Sequence, residues 1–162
     1  MSAPNVRLAD REDAKAIAGM LARLAQELGD GDVFRTDEVT ISTHGFGAGR
    51  RFSCQIAEED DCPVGLALYY PVFSTTRGQP GAYVQDLWVN PETRGRYVGG
   101  LLLGAVARHA AQAWQAVYLE LTAYVGNNGA IRFYERLGFA MQGKDRPMIL
   151  TGAGFGELLK TA

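Results

Sequence analysis

Ala14, Ile17, Met20, Leu21, Leu24 and Leu28 recur at the spacing of one helical face, and Gly29 follows as a stop. Asp10, Glu12 and Asp13 precede this face, where the positive end of a helix dipole favours acids, although the Ser/Thr form of the capping box is missing. Ahead of the helix, Val6 and Leu8 alternate with polar residues as a short strand over 5–8. Residues 30–50 read as loop with one short helix near Asp37–Thr43, then the glycine-broken run His44-Gly45-Phe46-Gly47-Ala48-Gly49, which predicts a flexible segment. From residue 51 the period changes. Phe52–Glu58 and Val64–Val72 are apolar or β-branched runs joined by the polar turn Glu59-Asp60-Asp61-Cys62-Pro63, and Ser74–Gly81 leads into a third such run, Ala82–Val89. Together these predict an antiparallel meander.

A glycine-containing loop follows Pro91 and opens a helix over Gly99–Ala113 that buries Leu102, Leu103, Val106, Ala107 and Ala110. Val117–Leu121 reads as a buried strand. Asn127 or Asn128 starts a further helix through Arg136 with Ala130, Ile131, Tyr134 and Leu137 on one face, and Gly138 is its C′ residue. Phe139–Gln142 and Met148–Thr151 are expected as short closing strands. The order predicts an α/β fold of the mixed α+β kind, a mixed sheet with helices on both faces, whose 82–121 crossover is right-handed. No repeat or linker interrupts it, so residues 1–162 are read as a single domain.

Composition narrows the setting. A chain of 162 residues holds one core, and 47% hydrophobic with 21% charged residues excludes disordered and collagen-like classes. Sixteen Lys and Arg against eighteen Asp and Glu leave a net charge of −2, which argues against nucleic acid or a membrane surface as partner. Any anion site must be local. Cys54 and Cys62 suggest neither a disulfide framework nor a zinc set, so no metal is expected and the thiols read as reduced, in the cytoplasm. The longest apolar stretch, Val98–Ala107, is well short of the ~20 residues of a span, and acids stand where a leader needs an apolar run. Glycine is in excess, at twenty residues against a usual share of roughly 7%.

Three of those glycines fall in Arg94-Gly95-Arg96-Tyr97-Val98-Gly99-Gly100, between a strand and a helix N-terminus. Free backbone N–H groups and the dipole make such a place an anion site, to which two arginines add charge. The spacing is neither Gly-x-Gly-x-x-Gly nor a P-loop, since the Gly-Lys at Gly143-Lys144 is followed by Asp145. A surface loop with tight helix–strand packing fits the same residues.

Strand, loop and helix together resemble the acetyl-CoA-binding motif of the GNAT superfamily of N-acetyltransferases, Arg/Gln-x-x-Gly-x-Gly/Ala. Arg94 and Gly99 match its first and last positions, while Tyr97 stands where the family usually has glycine. The segment from Asn127 to Phe139 is similar to the family's Asn-x-x-Ala-x-x-x-Tyr-x-x-x-Gly-Phe at every fixed position. The 44–47 segment, Gly65–Tyr70 and Tyr83–Val89 resemble the diamine (spermidine/spermine and thialysine) acetyltransferase branch. The resemblance implies a GNAT fold with a central six- to seven-stranded sheet, acetyl-CoA as co-substrate and a homodimer. It also implies that Leu87, Trp88 and Val89 line the pantetheine, that Arg94, Gly95, Arg96, Tyr97, Val98, Gly99 and Gly100 hold the pyrophosphate, and that Asn127 and Tyr134 reach the thioester arm.

Acetylating an alkylamine of pKa roughly 10.4 requires a route for its proton and a proton for the departing thiolate. Tyr134 lies seven residues after Asn127, about 10.5 Å along a helix axis on the same face, with its hydroxyl expected toward the sheet. Spacing alone reads as a core tyrosine; the resemblance makes it the general acid. The branch places a Glu-Asp pair where this chain has Gln85-Asp86. Alternation sends the two side chains to opposite faces unless a bulge intervenes. Glutamine is no base, which leaves Asp86, directly or through water, to deprotonate the amine, with Gln85 and Asp86 contacting substrate. A strand-end carboxylate paired with an arginine is the alternative for Asp86.

Glu58–Asp61 reads as a solvated turn, whereas Asp30, Asp32, Asp37 and Glu38, in a loop region that resembles the family's acceptor-site cover, are better placed to select a cationic amine. His44 and His109 lack metal-ligand company, and the rings of Trp88 and Trp114 read as core. The preferred function is direct acetyl transfer to a small primary amine in a ternary complex. A CoA-holding module without catalysis and acetylation of a protein amine are the competing readings.

Overall fold

The computed structural model describes residues 4–144 and 148–161, which fall into two units, Met1–Thr122 and Ala123–Ala162. The first holds the strands β1 (Asn5–Leu8), β2 (Ser53–Glu59), β3 (Cys62–Ser74), β4 (Gln79–Val89) and β5 (Leu119–Leu121), and the helices α1 (Ala14–Leu28), α2 (Glu38–Gly45) and α3 (Val98–Trp114). The second holds α4 (Asn128–Arg136) and α5 (Gly152–Leu159).

The strands form one mixed sheet in the order β1-β2-β3-β4-β5, antiparallel except for the parallel pair β4–β5. Side-chain alternation sends Cys54 and Ile56, Leu66 and Leu68, and Trp88 to one face, where they meet Ile17, Met20, Leu21 and Ile41 of α1 and α2. The opposite face packs on α3. Gly65 there lies so close to Leu102 that an added Cβ would stand 3.2 Å from its Cδ1, and Tyr69 meets His109 edge-on at 5.6 Å. Helices on both faces are therefore as the pattern predicts. Each fully buried side chain such as Ile17 or Leu66 contributes roughly 1.5–3 kcal/mol by leaving water.

Several local expectations are corrected. The sheet has five strands among the described residues rather than six or seven. Phe139–Gln142 and Met148–Thr151 carry no strand, residues 145–147 between them lie outside the described residues, and the chain goes on to α5 instead. Four-residue apolar runs have no backbone partner of their own, so a strand forms only where the rest of the sheet offers an edge. β5 is shorter than Val117–Leu121 and only partly covered, with Val117 62% exposed. The β2–β3 hairpin is tighter than predicted: Glu59 pairs with Cys62, and Asp60 and Asp61 form the whole turn at φ of 49° and 61°. Aspartate tolerates this left-handed region, and a turn with both central residues there matches the twist of the strands.

Asp10 and Asp13 form a capping box after all. The Asp10 side chain accepts from the backbone of the first helical turn and Asp13 Oδ2 accepts from Asp10 N at 2.8 Å, an aspartate serving as well as the Ser/Glu pair. Asp37 caps α2 by accepting from Thr40 N at 2.8 Å. Gly45 is buried at the end of α2 under the Phe52 ring, 2.7 Å from where its Cβ would be. Close packing, rather than flexibility, requires that glycine.

Among the described residues no helix is long and apolar enough to cross a membrane, and no group of His, Cys, Asp or Glu is arranged to hold a metal ion.

Candidate active site

β4 carries the central residues. Its ladder with β3 pairs Asp86 with Leu68 but Val84 with Tyr69, so Gln85 is one extra residue, a β-bulge. The bulge brings to one face what plain alternation would separate. Asp86 lies in the row Cys54, Leu68, Asp86 on the α1 face. Gln85 is reached from that same face, since its Oε1 accepts from Tyr70 Oη at 3.2 Å and Tyr70 follows Leu66 and Leu68 in alternation.

Asp86 is mostly buried, and burial alone pushes its carboxyl up to about 6. Among the described residues no basic side chain pairs with it, so the arginine-paired alternative is not what the structure holds. A lone carboxylate titrating just below neutrality suits proton transfer at physiological pH. Beside it, Tyr70 and Tyr83 stack at 5.3 Å, and Tyr83 Oη bonds Thr122 Oγ1 at 2.8 Å.

Further along β4 the sheet opens. The ladder to β5 ends at Val84–Leu121, while Asn90 N donates to Val64 O at 2.8 Å on the β3 side. Backbone groups alternate between strand edges, so Leu87 and Val89 turn theirs away from β3, where no strand faces them among the described residues. Arg94 Nε uses one such group, donating to Val89 O at 2.9 Å. Trp88 points into the α1-side core at 3% exposure, its Nε1 donating to Glu27 Oε1 at 2.9 Å, and its backbone groups face β3, so it offers neither side chain nor backbone to this edge.

The 94–100 loop then enters α3. A short 3₁₀ turn at Pro91–Thr93 precedes it, and Tyr97 N-caps the helix at φ 64°. This left-handed backbone is what a glycine would adopt freely and what costs other residues about 1–2 kcal/mol. The Tyr97 ring lies on Gly100, within 2.6 Å of where a Cβ would be. The first turn leaves the N–H groups of Val98, Gly99 and Gly100 without intrahelical acceptors, so the backbone of an anion cradle survives. Both arginines already have partners: Arg94 Nη2 meets Glu27 Oε2 at 2.5 Å, and Arg96 is ion-paired with Glu59.

The acids expected to be free are partly engaged. Glu58 and Asp13 share Arg7, at 2.6 and 2.8 Å, and Arg7 holds the Asp13 carboxyl below its usual range. With Glu59 on Arg96, only Asp60 and Asp61 of the predicted solvated run sit in the turn itself. Asp37 is occupied as a cap. His109 Nδ1 bonds Tyr69 Oη at 2.8 Å, and burial lowers its pKa, in keeping with a structural role.

In the second unit Asn127 is the N-cap of α4, its Oδ1 accepting from Ala130 N at 3.3 Å, so Asn128 is the first helical residue. Tyr134 sits between two aromatic neighbours, Phe133 at 5.3 Å and Phe139 at 5.6 Å, and Gly138 closes the helix at φ 95°.

Sequence reasoning missed Glu27, Glu59, Tyr70 and Tyr83. Glu27 and Arg94 are 67 positions apart, a separation at which no local pattern links them.

Comparison with known proteins gives a consistent result. The profile of the acetyltransferase (GNAT) family matches residues 18–139. Thialysine N-epsilon-acetyltransferase of Sus scrofa is 30% identical over 146 residues, covering 85% of this chain and 85% of that protein. Spermine/spermidine N(1)-acetyltransferase of Bacillus subtilis (strain 168) is 25% identical over 83 residues, covering 50% of this chain and 55% of that one. An integron cassette protein from the mobile metagenome of V. cholerae superposes with a TM-score of 0.80 over 99% of both chains at 21% identity, a likeness of fold.

Proposed function

Because the chain belongs to the acetyltransferase (GNAT) family and is an N-acetyltransferase, we propose that it moves the acetyl group of acetyl-CoA to a primary amine of a small molecule by direct transfer in a ternary complex. The acceptor is a diamine, a polyamine or an amino-acid-like amine, the classes named by its thialysine and spermine/spermidine relatives.

The observation that carries this reading is Asp86, a mostly buried carboxylate with no basic partner among the described residues, titrating at about 6 on a bulged strand. Asp86 takes the proton from the incoming ammonium, directly or through water. Gln85, turned to the same face and bonded to Tyr70, contacts the acceptor. Acetyl-CoA, the family's usual co-substrate, supplies the activated acetyl group as a thioester. The residues present fit it: Leu87 and Val89 offer strand backbone on an open edge, with Trp88 holding that edge from the core. Gly95 and the N–H groups of Val98, Gly99 and Gly100 offer a phosphate cradle, flanked by Arg94, Arg96 and Tyr97. By the family motif, Asn127 holds the thioester arm and the Tyr134 hydroxyl gives the departing sulfur its proton.

No covalent enzyme intermediate is needed, since Cys54 is buried with its thiol pushed up and Cys62 lies exposed at the β2–β3 hairpin, outside the family motifs. The two free thiols support a cytoplasmic setting, and a homodimer follows the habit of the branch.

Release of CoA measured against diamines, polyamines, thialysine, amino acids, aminoglycosides and a peptide with a free N-terminus, with mass spectrometry of products, tests the proposal. We expect one acetyl group added to at least one small amine. CoA binding without turnover on any amine would overturn it.

A further inference from the structure

We propose that Tyr70, Tyr83 and Glu120 form a second subsite beside Asp86, which selects acceptors carrying a positive charge in addition to the reacting amine. The inference rests on the reading of the Asp86 face as the acceptor face.

The register of the sheet assembles it. Tyr83 pairs with Glu120 across the parallel β4–β5 ladder, and directly paired residues of neighbouring strands project to the same face. Tyr83 also pairs with Tyr70 across the antiparallel β3–β4 ladder, and their rings stack at 25° between planes. Each phenol is tied at its far end, Tyr70 to Gln85 at 3.2 Å and Tyr83 to Thr122 at 2.8 Å, so the stack is held in place. Thr122 follows Glu120 by two residues, which confirms the facing of both.

Electrostatics point the same way. Burial first, then Tyr83, Glu120 and Asp86, push the Tyr70 phenol up, in keeping with the facing that the register gives. Among the described residues neither Asp86 nor Glu120 has a Lys or Arg partner. One face therefore carries two uncompensated carboxylates with an aromatic pair beside them. Aromatic faces attract cations, and more so when a carboxylate stands close. Glu120 is one strand over and three residues back from Asp86, roughly 10 Å at usual strand spacings, a reach suited to the two ends of a short diamine. Asp86, partly buried, serves the amine that must lose its proton. Glu120, exposed, serves one that stays charged.

Cadaverine and pentylamine have the same carbon chain and differ in the second ammonium, so the ratio of their kcat/KM values reads the subsite. We expect the parent protein to favour cadaverine by about tenfold or more, Glu120→Gln to remove most of that ratio through the KM for cadaverine, and Glu120→Asp to keep part of it. Added salt should erode the preference in the parent more than in Glu120→Gln. An unchanged ratio in Glu120→Gln overturns the subsite. So does acetylation of other amines with no preference between these two, in which case the proposed transfer stands. Absence of turnover on every amine overturns the function on which the subsite rests as well.

Discussion

Arg96, in the loop that leads into α3, is ion-paired with Glu59 at the turn end of β2, and the carboxylate side chain is only 13% exposed. The pair places an internal anion on one of the two cations that the loop would offer to a phosphate. The loop is thus nearly neutral in the free protein, and its attraction for anions rests mainly on the N–H groups of the first turn of α3.

Glu59→Gln should release Arg96. Isothermal titration with CoA is expected to show binding about three- to tenfold tighter, the scale of one charge-assisted hydrogen bond. Folding stability should fall by less than about 1 kcal/mol, as for other pairs that water still reaches. Weaker CoA binding in this variant would mean that Glu59 holds Arg96 in its working position.

Tyr97 predicts a stability ordering. Its left-handed backbone at φ 64° favours glycine, while its ring covers Gly100. Tyr97→Ala keeps the backbone cost and loses the ring, whereas Tyr97→Gly loses both. Urea denaturation should find the glycine variant more stable than the alanine variant by about 1 kcal/mol. Equal stabilities would remove the strain at this position.

For Asp86 the sign of the pH effect is the reverse of that for an ordinary salt-bridged carboxylate. Its folded pKa, about 6, stands above the unfolded value of 3.8, so the folded state favours the protonated form. The group's stabilising effect is complete below the unfolded pKa, declines as pH rises through about 6, and leaves a constant cost above that. Asp86→Asn should therefore raise the melting temperature at neutral pH, with a gain of up to about 3 kcal/mol, and the gain should vanish near pH 4. In the same variant the acid limb of kcat/KM should disappear while activity drops, a gain in stability against a loss in function. An acid limb that stays in place would remove Asp86 as the base.

Tyr134→Phe preserves the ring contacts with Phe133 and Phe139 and removes only the hydroxyl. Turnover should fall by about 10²-fold or more, with the dissociation constant for CoA changed by less than twofold. Comparable losses in both would make Tyr134 a binding residue, and unchanged turnover would leave it a core tyrosine.

How much of this was legible in the chain differs by element. The α1 face was clear because a helix writes its burial at local spacing, and Asn127, Ala130, Tyr134 and Gly138 were clear because cap, face and stop lie within one short segment. The final strands were not, because a strand needs a partner edge that no local pattern specifies, and Phe139–Gln142 found none among the described residues.

The sequence by itself determined the meander and the helix-opening loop, which rest on residue type and short-range spacing, and its motifs carried the resemblance that identified the family and proposed Asp86 and Tyr134 as the residues that move protons. Tertiary structure alone decided what each of them meets. Whether Gln85 and Asp86 share a face depended on one bulge against β3, and the pKa of Asp86 on how fully its neighbours exclude water. The charge on the loop depended on Glu27 and Glu59, brought from distant positions. The physical reason is common to all three: solvation, pairing and strand register depend on which parts of the chain come together in space, and a periodicity along the chain carries no record of that.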